Sequence, residues 1–248
     1  MEQDYVKAME LYRRSARQGD ASAQKDIGDL FRFGDGVDKN NGQALVWYRK
    51  AAAQTDLSAQ EAIGDVFRTG GSGVAQDFKE AVTWYRKAAE AGRDSAQFEL
   101  AICYLKGTGV NKDSDKAFQW MKKSADQEYS LAQETLGHMY YYGDGVRQDK
   151  VIAVQWYRKA AEQGQASAQC ELGVSLLSGK GIAANAQEAR EWFEKAANQD
   201  DPEGQFLLAI LYFEGRGVRQ NPSKGKELLK KSAAQGFEKA QTMLNGMR

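Results

Sequence analysis

Histidine, cysteine and proline are close to absent from this 248-residue chain, and each scarcity removes a class of explanation. His138 is the only histidine, and no cysteine or carboxylate cluster surrounds it in sequence. A zinc-type centre needs about four ligands, so no metal site and no cofactor are expected. Neither cysteine lies close enough in sequence to suggest a Cys–His nucleophile. Two prolines argue for helices joined by short connections and against a disordered linker. No apolar stretch approaches the roughly 20 residues that span a bilayer, which argues against membrane insertion. The opening MEQDYVKAMELYRRSARQGD is charged throughout and has no signal-peptide core. An excess of charge is missing too. The 34 basic residues are matched by 34 acidic ones, leaving no surplus to hold nucleic acid.

What the chain does have is a period. Gln24, Gln60, Gln97, Gln133, Gln169, Gln205 and Gln241 recur at steps of 36 residues, once 37. Half a period out of phase run Leu11, Trp47, Trp84, Trp120, Trp156, Trp192 and Leu228, with the same steps. One period kept over the whole chain is the signature of stacked repeats, each packing on its neighbours. A single elongated repeat domain is therefore expected. It has a half repeat at 1–20, full repeats at 21–56, 57–93, 94–129, 130–165, 166–201 and 202–237, and a closing helix at 238–248. Beginning and ending on half repeats fits either natural capping helices or a piece of a longer array. Cys103 and Cys170 lie almost two periods apart, whereas a disulfide needs Cα atoms within about 7 Å. Both are expected to be reduced, in a cytoplasmic setting.

Residues 21–56 serve as the type unit. The first helix, about Ser22 to Phe33, puts Ala23, Ile27 and Phe31 on one apolar stripe with Gly28 beside them. Gly28, Gly64, Gly137 and Gly173 share that slot with Ala101 and Ala209, so another helix should pass very close. The helix closes on Gly-x-Gly followed by Val or Ile, as in Gly34 to Val37 and Gly107 to Val110, where the first glycine suits the left-handed C-cap. Asn40, Asp77, Asp113, Asp149, Asn185 and Asn221 then stand as N-caps of a second helix. That helix carries Ala44, Trp47, Tyr48, Ala51 and Ala52. The second repeat departs from the pattern with an extra loop residue, Gly70-Gly71-Ser72-Gly73.

Over almost every position, Leu131 to Gly164 (LAQETLGHMYYYGDGVRQDKVIAVQWYRKAAEQG) resembles the SEL-one-like repeat, a relative of the tetratricopeptide repeat. The resemblance covers essentially the whole chain. It implies an all-α fold, a right-handed α/α superhelical solenoid of about fourteen antiparallel helices, used as a protein-interaction scaffold. A non-enzymatic adaptor that captures a peptide or helix is the leading expectation. An inhibitor or immunity-type protein clamping a folded enzyme is the alternative. A cell-wall-related β-lactam-binding hydrolase is remote, because no serine–lysine or serine–histidine constellation is visible.

Other readings of the recurrent residues are weaker. The Gly-x-Gly turns follow a helix rather than a strand and so lack the context of a phosphate loop. The glutamine column is expected to satisfy backbone groups of the adjacent repeat. The Trp-Tyr-Arg-Lys tetrads could stack on single-stranded nucleic acid, but they share a stripe with alanines and read as packing.

A second stripe on the first helices points roughly 125° from the apolar one, at about 100° per residue. By resemblance to tetratricopeptide arrays it lines a concave groove. Its charged rim is Lys25, Asp29, Arg32, Glu61, Asp65 and Arg68. After that the stripe becomes Phe98, Ile102 and Leu105, then Glu134, His138 and Tyr141, then Cys170, Val174 and Leu177, then Phe206, Ile210 and Phe213. Exposed apolar side chains in one patch mark an interaction site. Tight winding that buries the stripe between repeats is the competing reading, and both stay open at this level.

Overall fold

The structure, a computed structural model, describes residues 5–247, the side chain of Val6 excepted. Fourteen helices and no strand occur among them. The chain forms two compact units, Met1–Gln127 and Glu128–Arg248. The first holds α1 (Tyr5–Ala16), α2 (Ala21–Phe33), α3 (Asn41–Ala53), α4 (Leu57–Thr69), α5 (Phe78–Glu90), α6 (Asp94–Lys106) and α7 (Ser114–Asp126). The second holds α8 (Ser130–Tyr142), α9 (Lys150–Glu162), α10 (Ala166–Ser178), α11 (Ala186–Ala197), α12 (Pro202–Glu214), α13 (Pro222–Ala234) and α14 (Glu238–Gly246). Even-numbered helices are the first of each repeat and odd-numbered ones the second. Within each unit a helix packs on its neighbours in sequence.

Local chemistry sets the ends of these helices. Asn40, Asp77, Asp113, Asp149, Asn185 and Asn221 all accept backbone N–H bonds at the start of a second helix, as their spacing predicts. Gly34, Gly107, Gly143, Gly179 and Gly215 close first helices in the left-handed conformation. Gly70 does not. With φ 67 and ψ −158, it leads into a rebuilt turn held by paired backbone bonds between Gly71 and Val74. The inserted loop residue thus changes the loop and leaves the helices intact.

The small-residue slot proves to be a seat for an aromatic ring. A Cβ at Gly28, Gly64, Gly137 or Gly173 would overlap the ring of Tyr48, Tyr85, Tyr157 or Phe193 respectively. These four rings are among the most deeply buried side chains of the protein. Burying such a ring is worth about 1.5–3 kcal/mol, against roughly 1 kcal/mol for a glycine inside a helix. Ring burial therefore wins. Where the slot holds Ala101 or Ala209, the ring position is filled by the slimmer Met121 or Leu229.

The glutamine column wires consecutive hairpins together. The Nε2 groups of Gln24, Gln97 and Gln169 donate to the carbonyls of Ala16, Ala89 and Ala161 near the end of the preceding helix. A second column, at or just after the C-caps, then reaches back. Gln54, Gln127, Gln163, Gln199 and Gln235 donate to Oε1 of Gln24, Gln97, Gln133, Gln169 and Gln205, at 2.8–3.0 Å. One rung is missing. Ala91 is the C-cap of α5, and the buried Oε1 of Gln60 has no partner. Each tryptophan ring is capped by a lysine three residues on, at 3.6–4.2 Å from the ring centroid.

Candidate functional site

In the first unit all six residues of the charged rim are paired within the protein rather than standing as separate charges. Lys25 pairs with Asp29, which also accepts the Tyr48 hydroxyl at 2.7 Å. Arg32 bridges to Asp65 of the next repeat at 3.1 Å, and Asp65 accepts the Tyr85 hydroxyl at 2.7 Å. Arg68 donates Nε to that same hydroxyl at 3.0 Å. Glu61 accepts from Arg93 and Ser95 of α6. Burial pushes the Tyr48 and Tyr85 hydroxyls far above the ordinary phenol range, so both remain donors.

These bonds explain why the stripe changes character along the chain. Its middle position follows the ring position of the second helix. Asp29, Asp65 and His138 stand where that helix supplies the hydroxyls of Tyr48, Tyr85 and Tyr157. Ile102, Val174 and Ile210 stand where it supplies Met121, Phe193 and Leu229, which need no acceptor. A buried hydroxyl requires a partner, so a polar residue appears only opposite a tyrosine. The co-occurrence is visible within the repeats of this one sequence, but helix spacing alone does not reveal it.

Beyond the rim, Phe98, Ile102 and Leu105 of α6 are half-buried. Phe98 and Ile102 line a cleft of about 690 Å³ together with Arg68, Phe78, Glu99, Cys103 and Lys106. Phe78 and Glu99 were not among the residues expected from the stripe. Phe78 begins α5 directly after the rebuilt loop and is 38% exposed. The corresponding positions hold Asn41, Ser114, Lys150, Ala186 and Pro222, so a lone aromatic beside the insertion was the signal available in sequence. Burial raises the Glu99 carboxyl above the usual range. Burial likewise raises the Cys103 thiol to about 11, which leaves it a poor nucleophile.

The second unit divides the remaining stripe residues between two environments. Glu134 accepts from Ser167 at 2.8 Å and lies 3.9 Å from His138, whose Nδ1 meets the Tyr157 hydroxyl at 3.0 Å. The nearby Glu134 carboxylate raises the His138 pKa. Burial works against the charge of Glu134, yet the neighbouring His138 and the hydrogen bond from Ser167 hold its pKa below the ordinary value. Tyr141 is half-buried beneath Lys150 and beside Tyr142, which is 71% exposed. Val174 is open to solvent and Leu177 packs against the core formed by α9 to α12. Cys170 is buried with its thiol toward Asp201. Phe206 meets Phe237 in a tilted ring contact, centroids 5.4 Å apart, and with Phe213 it joins Leu229, Ala240 and Leu244 in a hydrophobic cluster. Ile210 is half-buried. Phe206 and Phe213 thus pack against the cluster that includes residues of α13 and α14, and each stays partly exposed.

Three or more His, Cys, Asp or Glu side chains able to hold a metal ion do not come together among the described residues. No helix among them is long and apolar enough to cross a membrane.

Comparison with known proteins gives this geometry its context. The Sel1 repeat family model matches residues 1–20, 21–56, 57–92, 94–129, 130–165, 166–201 and 202–237. The structure of c5321, a protective antigen of uropathogenic Escherichia coli with an SLR fold, superposes with a TM-score of 0.87 at 36% identity, over 95% of this chain and 50% of that one. A Sel1 repeat protein from Oxalobacter formigenes gives 0.84 at 32% identity, over 96% of this chain and 68% of that one. The immunity protein Pa5087 of Pseudomonas aeruginosa shares the fold at a TM-score of 0.55 and 20% identity, over 89% of this chain and 81% of that one. The chain thus spans half the length of the Escherichia coli protein. No curated protein sequence matches it. Seven matched repeats and two relatives above 30% identity show that the chain belongs to the Sel1 repeat family, whose all-helical solenoids are generally non-enzymatic protein-interaction scaffolds.

Proposed function

We propose that the chain is a non-catalytic adaptor that captures a segment of a partner protein on the faces of its first helices. One observation carries this reading. Apolar and aromatic side chains stay open on those faces, with Val174 41% and Tyr142 71% exposed, and Phe98, Ile102 and Leu105 half-buried. Each such side chain contributes about 1.5–3 kcal/mol when a partner covers it fully, before the costs of ordering. The state of the two cysteines and the histidine fits a binding role. Both cysteines are buried with raised pKa values, and the Nδ1 of His138 is engaged by Tyr157.

The test is capture by the immobilised full chain, with partners identified by mass spectrometry and compared with a Val174→Asp variant. Val174 is exposed, so melting should not change, while capture on that face should fall at least about tenfold. Capture indifferent to that substitution and to its counterparts at Leu105 in the first unit and Tyr142 in the second would remove the first-helix faces from consideration. Robust turnover of an ester or β-lactam panel would overturn the non-catalytic reading. Inhibition of a captured enzyme in its own assay would instead identify an inhibitor.

A further inference from the structure

The cleft of the first unit has chemistry more specific than an open apolar face. Phe78, Phe98 and Ile102 supply its apolar walls, and Arg68, Glu99 and Lys106 its charges. Along α6, Phe98 and Glu99 stand at one end, Ile102 in the middle and Lys106 at the other, roughly 12 Å away at about 1.5 Å per residue. The stripe carboxylates of this unit are answered within the protein: Asp29 by Lys25 and Tyr48, Asp65 by Arg32 and Tyr85, Glu61 by Arg93 and Ser95. Glu99 is not. It has no hydrogen bond or ion pair among the described residues, although it is half-buried.

Its neighbours leave that need in place. Burial is the main cause that disfavours the Glu99 charge; Asp65 and Glu61 add to it, while Arg68 and Lys106 act the other way. Arg68 is already donating Nε to Tyr85 and pairing with Asp65. Lys106 is exposed and keeps its hydration. A carboxylate stripped of water without a partner is unfavourable, and a charge-assisted hydrogen bond to an arriving cation reverses this.

We propose that the cleft docks a partner segment carrying a branched aliphatic or aromatic side chain for Phe78, Phe98 and Ile102, together with an adjacent lysine or arginine for Glu99. The segment carries no base at the Lys106 end, where like charges would meet. This deepens the interaction-scaffold reading and rests on it.

Fluorescein-labelled synthetic peptides and the full chain provide the test by anisotropy. One peptide carries a leucine–phenylalanine anchor beside lysine, a second has glutamate for lysine, and a third has serine for the anchor. The lysine peptide should bind about tenfold more tightly than the glutamate peptide, the scale of one charge-assisted pair. Glu99→Gln should erase that preference without weakening the glutamate peptide, and Phe78→Ala should weaken both. Neither substitution removes an internal hydrogen bond, and unchanged melting curves establish that the variants fold. A glutamate peptide that binds as well as the lysine one, a preference that survives Glu99→Gln, or binding by neither overturns the proposal. Partner capture by the full chain that ignores both substitutions leaves the scaffold reading standing and ends only this one.

Discussion

The missing rung of the glutamine ladder offers a stabilising substitution with a magnitude that can be worked out. Ala91 occupies the place from which Gln54, Gln127, Gln163, Gln199 and Gln235 reach back, and Gln60 Oε1 is buried without a donor. The backbone there already matches. Ala91 has φ −80 and ψ 2, while Gln163, which completes its rung at 2.8 Å, has φ −77 and ψ 0. Ala91→Gln therefore introduces no strain. A new hydrogen bond adds a net 0.5–1.5 kcal/mol, and relieving a buried unsatisfied acceptor about 1–3 kcal/mol. Ordering the glutamine side chain costs up to about 2 kcal/mol. The expected gain is thus about 1 kcal/mol. Urea unfolding followed by circular dichroism should show a higher midpoint at unchanged slope. Gln127→Ala is the mirror experiment. It orphans Oε1 of Gln97, a residue only 5% exposed, and should destabilise by about 1–2 kcal/mol. The decisive control is a double-mutant cycle in a Gln60→Leu background, where Ala91→Gln has no acceptor to meet and should gain nothing. An equal gain in both backgrounds would refute the ladder as the cause.

Gly64→Ala should destabilise by about 1–3 kcal/mol through overpacking against Tyr85, and Gly64→Ala with Tyr85→Met should lose less than the sum of the singles, since that pair reproduces Ala101 with Met121; additive melts would contradict the seat. His138, as the only histidine, gives an unambiguous proton resonance, which should titrate above the ordinary histidine value and move down in Glu134→Gln. Because the folded-state pKa is raised, its contribution to stability is full below the unfolded value and is lost as pH rises through the folded one, so a downward shift on folding would reverse the sign. Both thiols should react slowly with a disulfide reagent in the native protein and count as two on denaturation without reductant; fewer than two would contradict reduced cysteines.

Much of the fold was legible in the sequence because its determinants are local. The 36-residue period, the Asn and Asp caps and the left-handed glycines each act within a few residues of themselves, and helices form where they mark them. The glutamine column was legible in role, since its donation to a neighbouring helix end follows from the repeat. Its second half was not, because the C-cap glutamines meet it from 30 residues away and only the packed hairpins bring them together. Tertiary structure also decided which stripe residues are free. Asp29 and Asp65 are held by tyrosine hydroxyls, Phe206 and Phe213 by the packing of α13 and α14, and Val174 by nothing comparable. Helical periodicity gives the direction of a side chain, but whether that direction ends in solvent or in a neighbour depends on how closely the next helix approaches. The cleft beside Phe78 shows the same division. The inserted glycine and the lone aromatic stand plainly in the sequence, yet their meeting with Glu99 of α6 exists only once the two hairpins have packed.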